Sequence, residues 1–288
     1  EWFREIKTHL KEDGSGFLRT TGNFPFVLQT EIALIYTQQK GRRVHIVLLC
    51  PDFETAEKIT GFFKSIGRVD YDGRPIFKLS CIDLVKSMKS ISENIEIIPA
   101  HIWTPWFGIL GSKSGFDSLK EAFGDYENQI YAIETGLSSD PAMNHRLSQL
   151  DNKTILSFSD LHSFWPWRIG REATLFDIDE NYDSLIAAIR TGNQVMGTVE
   201  VDPGYGKYHF DGHRNCGISM EPKQTMKTGN ICPVCKRPLT VGVLNRVEEL
   251  ADRQEGYRPE GSKPYYTLIP LSEIIAKVID AGVNTRKV

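Results

Sequence analysis

The sequence predicts an α/β fold: a barrel or parallel sheet of alternating strands and helices, followed by a small metal-stapled module. Three observations carry the prediction. Apolar runs of strand length alternate with helically spaced stretches through residues 1–200. Several of those runs hold or end in a carboxylate or an imidazole, as at the carboxyl mouth of a barrel. Beyond residue 200 the periodicity stops, and one histidine and three cysteines cluster.

In chain order, residues 1–6 read as the middle of a helix, and residues 26–32 and 44–49 as strands. Residues 53–66 follow a turn at Pro51-Asp52 and have helical spacing, as do 80–89. Strands are expected at 95–100, 130–134 and 154–159, and helices at 119–123 and 182–191. The strands are nearly continuous apolar runs, which suits burial on both faces. Residues 201–207 are rich in turn formers and mark a break. Two more helices are expected at 244–252 and 271–281. The abrupt start and end read as an internal piece of a longer chain. The division expected is a catalytic barrel over 1–200, truncated at its N-terminus, a zinc-binding module over 201–260, and the start of a C-terminal region over 261–288.

Composition narrows the classes. With 40% hydrophobic and 25% charged residues among 288, the balance is that of a globular chain able to bury a large core. A net charge of -3 gives no global basic field, so any nucleic-acid surface must be local. No apolar run approaches membrane-spanning length. Cys50 and Cys81 stand alone in apolar settings and read as buried thiols. With five cysteines, three of them clustered, metal is favoured over disulfides, and a reducing, cytoplasmic compartment follows.

His213-x2-Cys216 and Cys232-x2-Cys235 are two knuckles that can surround one tetrahedral ion. All four positions are filled by protein, so a structural Zn2+ is expected, with His209 as an alternative ligand to His213. The segment between the knuckles is poor in apolar residues, so the ion would supply much of its folding free energy.

Glu31, His45, His101, Glu134, Asp160 and His162 lie in or just after predicted strands. Each alone has a plainer reading: His45 as a satisfied core histidine, Glu134 as a cap or ion-pair partner. Together they are the donor types that hold Mg2+, Mn2+ or Zn2+ for hydrolysis. Two aromatic-basic loops follow two of these residues. Trp103, Trp106, Phe107 and Lys113 come after His101; Trp165, Trp167, Arg168 and Arg171 come after His162. Large aromatics at a site mouth can stack on or wedge beside bases, and the cations can hold phosphates. The plainer alternatives are aromatics that pack the loops as a local core, and an Arg171-Glu172 ion pair.

These residues resemble the later metal-ligand motifs of the PHP (polymerase and histidinol phosphatase) family: Q-T-E-I, V-H-I-V-L-L, I-I-P-A-H-I-W and S-D-L-H. The longer runs I-P-A-H-I-W-T-P-W-F-G, A-I-E-T-G-L-S-S-D-P, S-D-L-H-S-F-W-P-W-R-I-G-R-E-A and the C-P-V-C module are closer still to its endonuclease Q branch. The likeness runs through nearly all of the chain. It implies a distorted (β/α)7 barrel with up to three divalent metals at its mouth, here without its first strands, since the family's early H-x-H motif would precede Glu1. It implies metal-dependent nicking of DNA on the 5′ side of abasic sites or deaminated bases (uracil, hypoxanthine, xanthine), with the damaged nucleotide flipped out. Glu31, His45, His101, Asp160 and His162 would be ligands, and Glu134, which sits in a family motif, a further candidate. His101, Asp160 and His162 would be the catalytic set. Lys207, Arg214, Lys236 and Arg237 of the zinc module would hold duplex phosphates, and absent regions could contact a sliding clamp. The rival readings are a small-molecule phosphoesterase of the histidinol-phosphatase type and a non-catalytic, zinc-stabilised DNA-binding fragment.

Overall fold

The computed structural model describes residues 2–71, 73–162 and 165–285. Four of the helices form where a capping side chain meets buried apolar residues. Asp52 accepts the Thr55 N–H and opens Phe53–Ile66, whose Ile59 and Phe63 are buried. Ser80 does the same for Cys81–Ile91, Ser118 for Leu119–Phe123, and Asn181 for Tyr182–Thr191. The last of these ends on Gly192 at φ +70°, a left-handed cap that suits glycine.

The strands depart from the expectation. A four-stranded sheet has, in spatial order, Ile76–Phe77, Leu28–Gln38, Lys40–Cys50 and Glu96–Pro99. Its two long strands pair antiparallel from Leu28↔Cys50 to Gln38↔Lys40, and Glu96–Pro99 is antiparallel to the second. The chain reverses at Gln39, whose φ is +61°. So short a link cannot make the crossover that parallel strands require. Among the described residues parallel pairing is limited to Ile76–Phe77 on Leu28–Gln38, Ala132–Glu134 on Thr154–Leu156, Tyr265–Thr267 on Val195–Glu200, and an isolated bridge between Val44 and Phe107. Among the described residues the strands fall into separate sheets, and no closed barrel forms.

The central core lies between the long strands and the helices Phe53–Ile66 and Cys81–Ile91, and it continues through Trp103, Ile109, Leu110 and Phe116. Val243 and Val247 of helix Val243–Leu250 enter the same core. The chain beyond the cysteines thus packs back onto the first region. Between them a hairpin, Asp211–His213 with Ile218–Met220, carries the first knuckle. Among the described residues no helix is long and apolar enough to cross a membrane.

Candidate metal centre

The sheet register delivers the site. His45 lies opposite Ala33, two residues from Glu31, so both side chains rise from one face of the antiparallel pair. His101 follows Glu96–Pro99, the strand beside His45. Its backbone has φ +30° and is clamped from three sides. Glu134 Oε2 accepts the His101 N–H at 2.8 Å, and Thr104 Oγ1 lies 2.8 Å from His101 Nδ1. A Cβ at Gly136 would sit 2.5 Å from that of His101, so only glycine fits there.

Three potential ligand atoms converge. Glu31 Oε1 lies 3.1 Å from His45 Nδ1 and 3.4 Å from His101 Nε2, and the two ring nitrogens are 3.1 Å apart. Ligand atoms of the three residues all lie within 4.8 Å of one another. Burial pushes the Glu31 carboxyl up, but hydrogen bonds from His101, His45 and Arg74 outweigh it and hold it well below the usual carboxylate range. Burial pulls His45 down to about 4 against its hydrogen bond to Glu31, helped by the charges of His101 and Arg74. His101 is also desolvated, but Glu31, Glu134 and Asp160 raise it. Burial raises Glu134 to about 7. An ionised carboxylate beside a neutral imidazole is a donor set that suits a divalent cation.

Asp160, at φ +43°, faces the same region. It lines a cavity of about 450 Å³ with Glu31 and Glu134, and another of about 340 Å³ with His101, Arg171, Lys207 and Tyr208. His162 stands apart. It is exposed, with Nδ1 3.1 Å from the Asp160 carbonyl oxygen, and it is not in the three-residue group.

The aromatic-basic loops divide. Trp103 is core, 1% exposed, with its indole N–H donated to Asn144 Oδ1 at 2.9 Å. That burial leaves no face for a base. Phe107 stacks on His45 at 4.2 Å, and Trp106 is exposed and packs edge-on against Tyr208. Lys113 is exposed, 3.5 Å from the Leu239 carbonyl oxygen. Trp165 and Trp167 stack on each other at 4.7 Å; residues 163 and 164 of their loop lie outside the described residues. Arg168 is half-buried. Arg171 does not pair with Glu172: it donates to the Ser159 and Asp160 carbonyls and so pins the loop that carries Asp160.

Ligand atoms of His213, Cys216, Cys232 and Cys235 also lie within 4.8 Å of one another, a tetrahedral donor set for a soft or borderline ion. Burial raises the Cys232 thiol, but the Cys235 and Val234 N–H groups and His213 outweigh it and bring it to about 6. Burial and the two neighbouring sulfurs push Cys216 up to about 11. His209 is elsewhere, buried with Nδ1 3.0 Å from the Ser138 carbonyl oxygen. Lys207, Arg214, Lys236 and Arg237 are exposed.

Two features escape the sequence reading. Arg74 reaches Glu31, with Nη2 2.8 Å from Oε2. Glu172 and Glu200, 1% and 0% exposed, extend the register of Ala173↔Val199 by one step and so face each other across two strands. Their only sequence signal was a carboxylate at the edge of each apolar run, which marks many exposed residues too.

The fold and the two clusters define an α/β protein with a histidine–carboxylate centre at a cavity and a separate cysteine-rich knuckle. No family model matches the chain. It is 33% identical over 229 residues to an uncharacterized protein of Methanocaldococcus jannaschii, and 28% identical over 226 residues to the uncharacterized protein YqxK of Bacillus subtilis. Each match takes in 77% of this chain but only 27% and 55% of the relative, so the chain spans about a quarter to a half of the curated relatives it matches. Among solved structures it is similar to the lesion-specific endonuclease PfuEndoQ from Pyrococcus furiosus, at TM-score 0.83 and 29% identity, covering 99% of this chain and 68% of that one. It is also similar to an endonuclease Q in complex with a 27-mer duplex substrate that has an abasic lesion at the active site, at TM-score 0.85 and 30% identity, covering 99% and 69%. The chain belongs to the endonuclease Q family.

Proposed function

We propose that this chain carries the catalytic core of a metal-dependent endonuclease that nicks DNA 5′ of a damaged nucleotide, either an abasic site or a deaminated base. The observation that carries the reading is the convergence of Glu31, His45 and His101 beside two cavities that share Asp160, one lined by Glu31 and the other by His101, Arg171 and Lys207. A family member binds lesion-bearing duplex at its active site.

Glu31, His45 and His101 would hold a divalent cation, with Asp160 facing it across the cavity; His162, beside Asp160 at the rim, stays the candidate for a further ligand. When bound, such an ion supplies Lewis-acid polarisation of the phosphodiester and lowers the pKa of a water. Thr104 meets the His101 ring at Nδ1, as outer partners of a metal ligand do, and Glu134 accepts the His101 backbone N–H and so holds its main chain. Arg171 holds the Asp160 loop. A nucleotide taken out of the stack, at roughly a few kcal/mol, would enter the cavity beside Tyr208 and Trp106. Trp103 has no part in stacking. Zn2+ in the Cys-His knuckle would keep Arg214, Lys236 and Arg237 in place against duplex phosphates. The functional division is then a catalytic region over 1–200, a zinc module over 201–260 and a C-terminal region from 261. Cys50 and Cys81, free and buried, suit a reducing cytoplasm.

The test is cleavage of a 5′-labelled duplex carrying one deoxyuridine, deoxyinosine or abasic site, in Mg2+ or Mn2+ and in EDTA. A product ending just 5′ of the lesion, lost in EDTA and absent from unmodified duplex, is expected. Hydrolysis of small phosphomonoesters without DNA cleavage would replace this reading with the phosphoesterase one.

A further inference from the structure

Arg74 is a cation whose place is fixed by the sheet. Ile76 pairs with Ala33 in a parallel register, and Pro75 O accepts the Ala33 N–H at 2.8 Å. Two residues back on each strand, Arg74 meets Glu31. Its Nη2 donates to Glu31 Oε2 at 2.8 Å, and Nη1 lies 3.4 Å from His45 Nε2. The side chain is about a quarter exposed, yet its buried Nε–H has no hydrogen-bond partner among the described residues. A guanidinium offers five donors in a fixed fork. Here one edge engages the metal-ligand carboxylate and a buried donor is left over. An unmade bond of this kind is costly and calls for an explanation, of which a catalytic role is one.

We propose that Arg74 is a phosphate-binding catalytic residue of this centre, and that its guanidinium holds a non-bridging oxygen of the scissile phosphodiester. This rests on the phosphodiesterase reading above. Glu31 has two oxygens with different work. Oε1 faces the two imidazoles, and Oε2 faces Arg74. Ligation through Oε1 leaves the Oε2 contact in place as the anchor that aims the fork. The negative charge that builds on a phosphoryl group during in-line attack is what a preorganised guanidinium stabilises best. Arg171, which lines the cavity beside Asp160 and His101, donates to backbone carbonyls of the Asp160 loop, so the two arginines have separate tasks.

The competing possibility is that Arg74 only orients Glu31. The experiment compares wild type, Arg74→Ala and Arg74→Lys as metal-loaded proteins. It measures bound metal, binding of inorganic phosphate by calorimetry, and lesion-duplex nicking with and without added guanidinium. The proposal expects unchanged metal content in Arg74→Ala and phosphate binding weakened at least tenfold. It also expects kcat reduced 10²-fold or more, with partial recovery in guanidinium and only slight recovery in Arg74→Lys. Loss of metal from Arg74→Ala would make Arg74 an orienting group and overturn the proposal. Unaltered phosphate binding would overturn it too. If wild type binds phosphate through Arg74 but nicks no DNA, the function proposed above fails while the assignment of Arg74 stands.

Discussion

Replacing Glu172 with glutamine should remove a pH dependence that the buried carboxyl pair builds into the fold. Glu172 and Glu200 face each other across antiparallel strands, almost wholly buried, where like charges directly opposite are unfavourable. Thr135 and Ser157 hydroxyls donate to Glu200 Oε2 at 3.3 and 3.0 Å, and the Val201 N–H donates to Glu172 Oε1 at 3.3 Å. Among the described residues Glu200 Oε1 and Glu172 Oε2 are left without donors. Burial, then the charge of Glu200, pushes Glu172 from 4.5 up to about 9; burial raises Glu200 to about 7. Glu134 adds to the first shift and Arg171 opposes it. The folded state therefore binds more protons than the unfolded chain between pH 4.5 and 9, and stability must fall as pH rises through that window. One pKa unit is worth about 1.4 kcal/mol; with relaxation of the pair, the loss is on the order of 3 kcal/mol by pH 9. Glutamine stays neutral, and its amide can donate to the open Glu200 oxygen. Urea unfolding of wild type and Glu172→Gln from pH 4.5 to 9.5 should show wild type losing stability relative to the variant progressively across that range. Parallel curves would show that no proton is held there and refute the argument.

Three further outcomes are expected. Removing the knuckle ion with a chelator, or replacing Cys232 with serine, should unfold the segment around residues 211–240, since a structural zinc contributes on the order of 10 kcal/mol; loss of hydrogen-exchange protection confined to those residues checks it. Trp103→Ala should lower stability by about 3–5 kcal/mol, because it empties a core position and orphans Asn144, while Trp106→Ala should change stability by less than about 1 kcal/mol; thermal unfolding separates the two. Replacing Lys236 and Arg237 with alanine should weaken binding to any duplex and reduce the slope of log K against log salt by about 2, read by anisotropy titration.

Which parts of this molecule were legible in the sequence follows from what each feature depends on. Helix Tyr182–Thr191 was legible because its signals are local: Asn181 ahead, an apolar stripe within, Gly192 behind. The metal-ligand types at the strands of residues 26–32, 44–49 and 95–100 were legible for the same reason, and the structure brings Glu31, His45 and His101 together. The antiparallel order was not, because an apolar run reads alike in either direction and the Gln39 reversal lacks the usual turn residues. Trp103 and Trp106 sit three residues apart in one loop, yet one is core and the other exposed; only tertiary packing distinguishes them. Spacing left His209 and His213 interchangeable, and the hairpin chooses His213. Arg74 and the Glu172–Glu200 pair needed strand register, which one sequence does not supply.

The central claim is that Glu31, His45 and His101 hold a divalent cation. Crystals soaked in Mn2+ and measured at the manganese edge test it most directly. The account predicts an anomalous peak at roughly 2.0–2.3 Å from Glu31 Oε1, His45 Nδ1 and His101 Nε2, separate from the ion of the cysteine knuckle. A peak at the knuckle alone, with the Glu31 carboxylate still closed between the two histidines and Arg74, would contradict it.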